Sequence, residues 1–97
     1  MSFKIIPSKQ FIKQLKNLDP KSKKIIYNKI QILKQNPYQY KKIHSEKYSK
    51  IFRIRLNLRK KETRLIYIVL EPNIILVCLL DRKKDYKDLE KYLANIN

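Results

Sequence analysis

The spacing of apolar residues changes along this chain from a helical to a strand pattern, and this change limits its fold. Between Phe11 and Leu18 the apolar residues recur three or four positions apart, which is the spacing of one helix face. A second stretch of this kind follows to about Gln35. Over Phe52–Leu56 apolar residues instead alternate with arginines, which predicts a strand with one buried and one cationic face.

Short local signals mark the ends of the two helices. Ser8 stands where an N-terminal cap belongs. Asp19-Pro20 combines a capping residue with proline at the first helical position, and Asn36-Pro37 ends the second helix. Because the turn between the helices is so short, we expect an antiparallel helical hairpin.

The other segments predict strands, loops and a closing helix. Three segments have the composition of strands: Ser2–Ile6, which ends at Pro7; Thr63–Leu70; and the wholly apolar Ile74–Leu80. Residues 38–49 and the charged connector Asn57–Glu62 are expected to be loops. An amphipathic helix then closes the chain, with three apolar residues on one side: Tyr86, Leu89 and Leu93.

This order of elements, β-α-α-β-β-β-α, predicts an α+β fold in one domain spanning residues 1–97. The N-terminal strand and helical hairpin would pack on one face of a twisted, mainly antiparallel sheet, followed by the C-terminal helix. The other face of the sheet would be open. Arg53, Arg55 and Arg64 are available to line that open face.

The charge balance calls for a polyanionic partner. Lys and Arg number 24 against 8 Asp and Glu, giving a formal net charge of +16. Positive charges in such excess repel one another in the folded protein. They favour the binding of a polyanion: nucleic acid, an acidic protein or an anionic membrane surface. The longest apolar run is well short of the ~20 residues of a spanning helix. The N-terminal residues lack the sustained apolar stretch and small-residue cleavage site of a signal peptide, and the single Cys78 agrees with a reducing compartment, so we expect a cytoplasmic protein.

The residues that are missing exclude several classes of enzyme. The chain has no glycine, so it cannot carry a glycine-rich phosphate loop or a dinucleotide-binding fingerprint. Turns that need positive φ must use Asn, Asp or Lys, or be avoided by longer loops. One histidine excludes a two-histidine ribonuclease mechanism, and Cys78 with His44 is too little for a zinc site. We expect no metal and no cofactor.

Catalysis by lysine, arginine and tyrosine is reasonable for RNA. The 2′-hydroxyl of RNA is a nucleophile next to the scissile phosphate, so an enzyme need only align it, move protons and stabilise the added negative charge. Guanidinium groups do the last task through bidentate, charge-assisted hydrogen bonds to phosphate oxygens. DNA, which lacks the 2′-hydroxyl, could be bound but not cut in this way.

Several of these segments together resemble the RelE/ParE superfamily of toxins. Phe52–Leu56, a charged hairpin and Thr63–Tyr67 resemble its basic strand pair, Ile74–Leu80 its apolar strand, and Asp81–Tyr86 its closing signature. Compared with the family, Asp81 replaces the usual His or Gly, and the connector after the first of these strands is expected to be longer.

The resemblance implies a role for each matching residue. Arg53 and Arg55 would bind phosphate and assist proton transfer, and Arg64 would stabilise the transition state. Arg82 would protonate the leaving group, and Tyr86 would stack on a base near the cut. We expect three lysines to add contacts to RNA: Lys50, Lys83 and Lys84.

The resemblance also implies partners and an activity. A RelE-type toxin is an endoribonuclease that cuts messenger RNA on the ribosome, and a RelB-like antitoxin inhibits it in a hetero-oligomer. Two alternatives stay open: a ParE-like toxin that acts on DNA gyrase, and a non-catalytic RNA- or ribosome-binding module. The basic set of four arginines favours the nuclease.

Ordinary structural roles compete with each of these assignments. The strand arginines suit a solvated face, and Arg64 and Arg82 could form surface ion pairs with Glu62, Glu71 or Asp85. Tyr86 suits core packing as well as base stacking. The loop tyrosines suit RNA stacking or a protein interface. For His44, a plain loop position is favoured over proton transfer. The tyrosines concerned are Tyr38, Tyr40 and Tyr48.

Overall fold

The computed structural model describes residues 3–81, 87–94 and 96 of the chain. In these residues three helices and five strands follow one another in the order β-α-α-β-β-β-β-α. Their bounds are β1 Lys4–Pro7, α1 Lys9–Lys16, α2 Pro20–Gln35, β2 Lys41–Lys42, β3 Ile51–Leu58, β4 Lys61–Leu70, β5 Asn73–Asp81 and α3 Lys87–Ala94.

The five strands form one mixed sheet in the order β1-β5-β4-β3-β2. Strands β3, β4 and β5 make an antiparallel meander, and β2 pairs antiparallel with β3. Strand β1 pairs parallel with β5, from Lys4 opposite Asn73 to Pro7 opposite Leu76. The α+β class and the mainly antiparallel sheet are therefore confirmed. The sequence missed β2, because two lysines within a polar loop carry no strand pattern.

The two predicted helix caps are confirmed. The Oγ of Ser8 accepts a hydrogen bond from the backbone N–H of Phe11 at 3.0 Å. At the second helix, Asp19 Oδ2 accepts from the N–H of Ser22 at 3.2 Å, and Asp19 Oδ1 accepts from the Ser22 hydroxyl at 2.6 Å. The Ser22 hydroxyl bond lowers the pKa of the Asp19 carboxyl. Both caps satisfy N–H groups that a helix leaves unpaired at its start.

The helical hairpin covers one face of the sheet with the larger of two apolar clusters. Phe11, Ile26 and Leu33 of the helices are at most 1% exposed. They pack with the even-numbered residues of β3 and the odd-numbered residues of β4, such as Ile54 and Leu65. This arrangement follows from the strand period of two, which places alternate residues on one face.

The expectation of an open second face was wrong. Helix α3 packs there, with Leu89 and Leu93 at 3% and 1% exposure. A second apolar cluster lies beneath it and includes Ile51, Ile66 and Cys78. Because β4 and β5 bury side chains on both faces, they read in the sequence as continuous apolar runs. Only the part of this face beyond α3 is left for charged residues.

The connector between β3 and β4 is short, not long as the sequence suggested. Strand β3 extends to Leu58 and β4 begins at Lys61, so the loop is the two residues Arg59 and Lys60. Both have positive φ, 52° and 64°. Two positive φ values in a two-residue hairpin loop are typical of a type I′ turn, which usually carries glycine. The guanidinium Nε of Arg59 lies 3.2 Å from Asp19 Oδ1, which ties this turn to α2.

Helix α1 covers the edge of β5 beyond the end of β1. The hydroxyl of Ser8 donates to the carbonyl of Val77 at 2.6 Å. The Gln14 amide donates to the Leu79 carbonyl at 2.8 Å and accepts from its N–H at 2.7 Å. These bonds satisfy backbone groups that would otherwise leave a sheet edge available to another chain. They also hold the β-bulge between β4 and β5, where Ile66 is opposite Cys78 but Tyr67 is opposite Leu76.

Candidate active site

The three strand arginines share the face of the sheet that α3 partly covers. Arg53 and Arg55 alternate with Ile54, which packs under the helical hairpin, so they point to the opposite side. Arg64 precedes Leu65, which packs under the helical hairpin, and stands two residues before Ile66, which packs under α3. It therefore lies on the same face as Ile66. The structure therefore brings these three residues to one surface on rigid strands, where their geometry is better defined than on a loop.

Arg55 and Arg64 are direct neighbours across the β3–β4 pair. Residues opposite each other in an antiparallel pair point to the same side, with Cβ atoms about 5 Å apart. Two like charges so placed repel, and an anion such as a phosphate between them would relieve that repulsion. Glu62 partly offsets the repulsion, since its Oε1 lies 3.8 Å from the Nε of Arg55. The Arg55 side chain nevertheless remains 61% exposed.

Arg53 connects this surface to a cavity beside α3. Lys41 of β2 is the strand partner of Arg53 on one side, and Ile66 of β4 is its partner on the other. A cavity of about 400 Å³ lies between β2, β3 and α3. Its lining includes the charged residues Lys41, Lys42, Arg53 and Glu90, together with Ile43, His44 and Leu89.

Lys41 is a candidate site residue that the sequence analysis did not select. It lies directly opposite Arg53 and so presents a further cation to the same face. In the sequence Lys41 is one lysine of a basic loop, and many solvated loops have the same composition. The pairing of β2 with β3 distinguishes it, and this pairing belongs to the tertiary structure.

Of the remaining predicted site residues, Lys50 is the one that the structure describes, and it is not brought to the arginines. The Nζ of Lys50 lies 5.8 Å from the ring centroid of Tyr38, a residue that contacts Phe52 on the helical-hairpin side. Arg82 and Tyr86 lie outside the described residues, as do Lys83 and Lys84. Asp81, which precedes them, is the last residue of β5 and is opposite Thr63.

The loop tyrosines have structural contacts. Tyr38 packs edge-on against Phe3 and Phe52, and its hydroxyl donates a hydrogen bond to the Glu71 carboxylate. Tyr40 packs against the larger core cluster, with Lys29 over its ring. Tyr48 packs against the cluster beneath α3. These contacts favour a packing role over base stacking.

The buried thiol of Cys78 is not suited to nucleophilic chemistry. The residue is fully buried, and burial raises the pKa of its thiol to about 12, with a smaller contribution from Asp88. A thiol that stays protonated is a poor nucleophile and a poor metal ligand. Within residues 3–81 and 87–94 no group of three or more His, Cys, Asp or Glu is placed to hold a metal ion. In the same part of the chain no helix is long and apolar enough to cross a membrane.

Comparison with known proteins shows likeness in structure where sequence comparison finds none. No protein-family model and no curated protein matches the sequence. A variant of the E. coli toxin RelE in the free state superposes with a TM-score of 0.73 at 13% identity, covering 99% of this chain and 95% of that one. This chain has the RelE toxin fold. At this level of identity the likeness concerns the fold alone.

Two further RelE structures that superpose on this chain contain an antitoxin. The E. coli RelBE toxin–antitoxin complex gives a TM-score of 0.68 at 14% identity, covering 86% of this chain and 100% of that one. The RelE–RelB complex of Pyrococcus horikoshii gives 0.62 at 22% identity, covering 87% and 99%. The RelE fold therefore accounts for the helical hairpin, the meander and α3 together.

Proposed function

We propose that this chain is the toxin of a toxin–antitoxin pair and an endoribonuclease that cuts messenger RNA on the ribosome. The observation that carries the proposal is the cross-strand pair Arg55 and Arg64, with Arg53 beside it, on one face of a RelE fold. Arginines placed together on neighbouring strands cost stability by mutual repulsion, and an RNA phosphate would compensate that cost.

The reaction we propose needs only groups of the chain and of the RNA, together with water. Arg55 and Arg64 bind the scissile phosphate through their guanidinium groups and stabilise the charge that develops when the 2′-oxygen attacks phosphorus. The 2′-hydroxyl proton passes to water, with Arg53 and Arg55 assisting as the resemblance implies, and the bond between phosphorus and the 5′-oxygen breaks.

The resemblance to RelE assigns leaving-group protonation to Arg82 and base stacking to Tyr86. Both follow β5 in the sequence, and β5 is the strand whose Leu80 lies opposite Arg64. The mechanism uses no metal.

The proposed partner is a RelB-like antitoxin. RelE of E. coli and RelE of P. horikoshii both form complexes with RelB. A chain with a net charge of +16 favours a partner that is acidic or that covers its basic surface. Such a pair would act in the cytoplasm, where ribosomes and messenger RNA are found.

The experiment that tests the proposal is primer extension on a messenger RNA incubated with translating ribosomes. The unsubstituted protein should give defined cuts in the A-site codon. Arg55→Ala and Arg64→Ala should each slow cleavage by about 10²- to 10³-fold, the usual effect of removing one preorganised donor. Arg59→Asn is the matched control, because Arg59 lies in the turn and is tied to Asp19, and asparagine tolerates positive φ.

Two results would contradict the proposal. Intact messenger RNA in the presence of folded protein would exclude the nuclease and make inhibition of gyrase supercoiling the next assay. The second result is an equal loss of cleavage in Arg59→Asn and Arg64→Ala. It would mean that cleavage depends on general positive charge and not on the strand arginines.

A further inference from the structure

A second pair of cations lies one step along β3 from the Arg55–Arg64 pair. Lys41 of β2 is directly opposite Arg53, so the two side chains point to the same face with Cβ atoms about 5 Å apart. Arg53 and Arg55 are two residues apart on β3, which separates them by about 7 Å on that face. The two pairs therefore form one cationic path from β4 across β3 to β2.

The backbone of Lys41 is anchored on both sides of the sheet. Tyr40, which precedes it, packs against the larger core cluster on the helical-hairpin side. The N–H of Ile43 donates to the carbonyl of Ile51 at 2.9 Å, and the Ile43 side chain packs against the cluster beneath α3. The side chain of Lys41 is exposed, so a fixed backbone presents this cation to a ligand.

The sheet itself gains nothing from a lysine opposite Arg53. Lysine is depleted in strands, and like charges directly opposite each other destabilise the pairing. Edge strands do use lysine to prevent pairing with other chains. Lys42, which is opposite the apolar Phe52, meets that need without repulsion. Lys41 adds a repulsion that a bound anion would relieve.

The cavity beside α3 gives an anion access to this second pair. Lys41 and Arg53 line the cavity of about 400 Å³ from the sheet, and Glu90 lines it from α3. Like-charge repulsion from Glu90 would keep an anion on the sheet side, next to the two cations. A cavity of this volume admits a phosphodiester group.

We infer that Lys41 and Arg53 bind the phosphate next to the scissile one, an inference that rests on the proposed ribonuclease function. The step of about 7 Å along β3 is similar to the length of one nucleotide of extended RNA backbone. The second pair is also displaced toward β2 by one strand, about 4.8 Å, which long lysine and arginine side chains can span. Two successive phosphates would thus be held, which aligns the RNA across the site.

The first test separates binding from chemistry by single-turnover cleavage on ribosomes programmed with a short messenger RNA. The protein is in excess and its concentration is varied. Lys41→Ala should raise the concentration that gives half the maximal rate by about tenfold, the effect of losing one charge-assisted hydrogen bond. The maximal rate should change less than twofold, because Lys41 does not contact the scissile phosphate. Lys41→Arg should restore the original behaviour.

The second test identifies the phosphate that Lys41 contacts. A neutral methylphosphonate replaces the linkage on the 5′ side, and then on the 3′ side, of the scissile one. The sugar before it is 2′-O-methylated to prevent spontaneous cleavage, and the same RNA with an ordinary phosphate is the reference. At one of the two positions the neutral linkage should weaken the unsubstituted protein about tenfold but Lys41→Ala less than twofold, since that contact is already lost.

The matched control is Lys24→Ala. Lys24 is an exposed lysine of α2, on the side of the sheet that the helical hairpin covers. Its replacement removes the same charge, and the neutral linkage should weaken this variant as much as it weakens the unsubstituted protein.

Each outcome separates the inference from the proposed function. Independent losses from Lys41→Ala and from the neutral linkage at both positions would overturn the inference and leave the nuclease intact. An unchanged half-maximal concentration in Lys41→Ala would overturn it as well. A maximal rate reduced as much as in Arg64→Ala would place Lys41 at the scissile phosphate instead. No cleavage by the unsubstituted protein would refute the proposed function, and this inference with it.

Discussion

At the scale of single residues, the strand arginines reduce the stability of the sheet at the place where we propose that RNA binds. Arg55 and Arg64 oppose each other directly, an arrangement that destabilises a sheet by a few tenths of a kcal/mol to about 1 kcal/mol. Glu62, whose Oε1 lies 3.8 Å from the Nε of Arg55, offsets part of this repulsion. Residues that reduce the stability of the isolated fold are expected where a ligand completes the site.

The buried thiol of Cys78 gives a prediction about pH. Its pKa is raised from an ordinary value of 9.0 to about 12 in the folded state. Between these values the unfolded thiol ionises while the folded one stays neutral, so the free energy of unfolding falls as pH rises. We expect Cys78 to contribute a slope approaching −1.4 kcal/mol per pH unit above pH 9.

Urea unfolding at pH 8, 9 and 10 measures this slope. Cys78→Ala should be somewhat less stable at pH 8 because it leaves a small cavity, and its stability should fall less steeply above pH 9. The comparison isolates the thiol, since both proteins carry the same lysines and tyrosines. Parallel pH profiles for the two proteins would show that the thiol ionises equally in both states.

At the scale of elements, the β3–β4 turn shows the consequence of a chain without glycine. Arg59 and Lys60 hold positive φ, a conformation that brings the Cβ of an L-residue too close to the next carbonyl oxygen. The sequence analysis left two possibilities for such turns, the use of Asn, Asp or Lys or a longer loop, and it expected a longer connector here. The structure instead has the tight turn, because pairing Leu58 with Lys61 extends the ladder to its end.

Replacing the second turn residue with glycine should stabilise the fold. Lys60→Gly removes the Cβ conflict at φ 64° but adds chain entropy to the unfolded state, so we expect a net gain of about 0.5–1 kcal/mol in the free energy of unfolding. Urea denaturation measures it. Lys61→Gly, one residue into β4, is the control and should lose stability. A loss in both variants would mean that Lys60 does not bear the strain.

At the scale of the whole molecule, a sheet with apolar clusters on both faces carries a large excess of positive charge. The described part of helix α3 has eight residues, too few for an isolated helix in water, and Leu89 and Leu93 stabilise it by packing against the sheet. The clusters on the two faces must together offset the repulsion among 24 cationic side chains.

Salt should therefore stabilise this protein. Raising NaCl from 50 to 500 mM shortens the Debye length from over 10 Å to about 4 Å and so screens the repulsion among the cations. We expect the urea midpoint to move upward across this range. Sodium chloride is the salt to use, since sulfate would also strengthen apolar burial. A downward shift would show that attractive ion pairs outweigh the net repulsion.

Much of the architecture could be predicted because local physics encodes it. The caps at Ser8 and Asp19, the break at Asn36-Pro37 and the alternation in β3 depend on residues near each other in the chain. The resemblance of several segments, in order, to RelE toxins was matched by the superposition over 99% of the chain. That Arg53 and Arg55 share a face followed from the strand period alone.

The sequence by itself determined the helical hairpin, the meander and the cationic strand faces, since each depends on the period of its own segment. Tertiary structure alone decided which residues meet across segments: Arg55 with Arg64, Lys41 with Arg53, His44 with the cavity beside α3, and α3 with the second face of the sheet. The physical reason is that register and packing depend on contacts between distant residues. A sequence pattern with a period of two or 3.6 residues does not indicate which other segment will pair or pack with it.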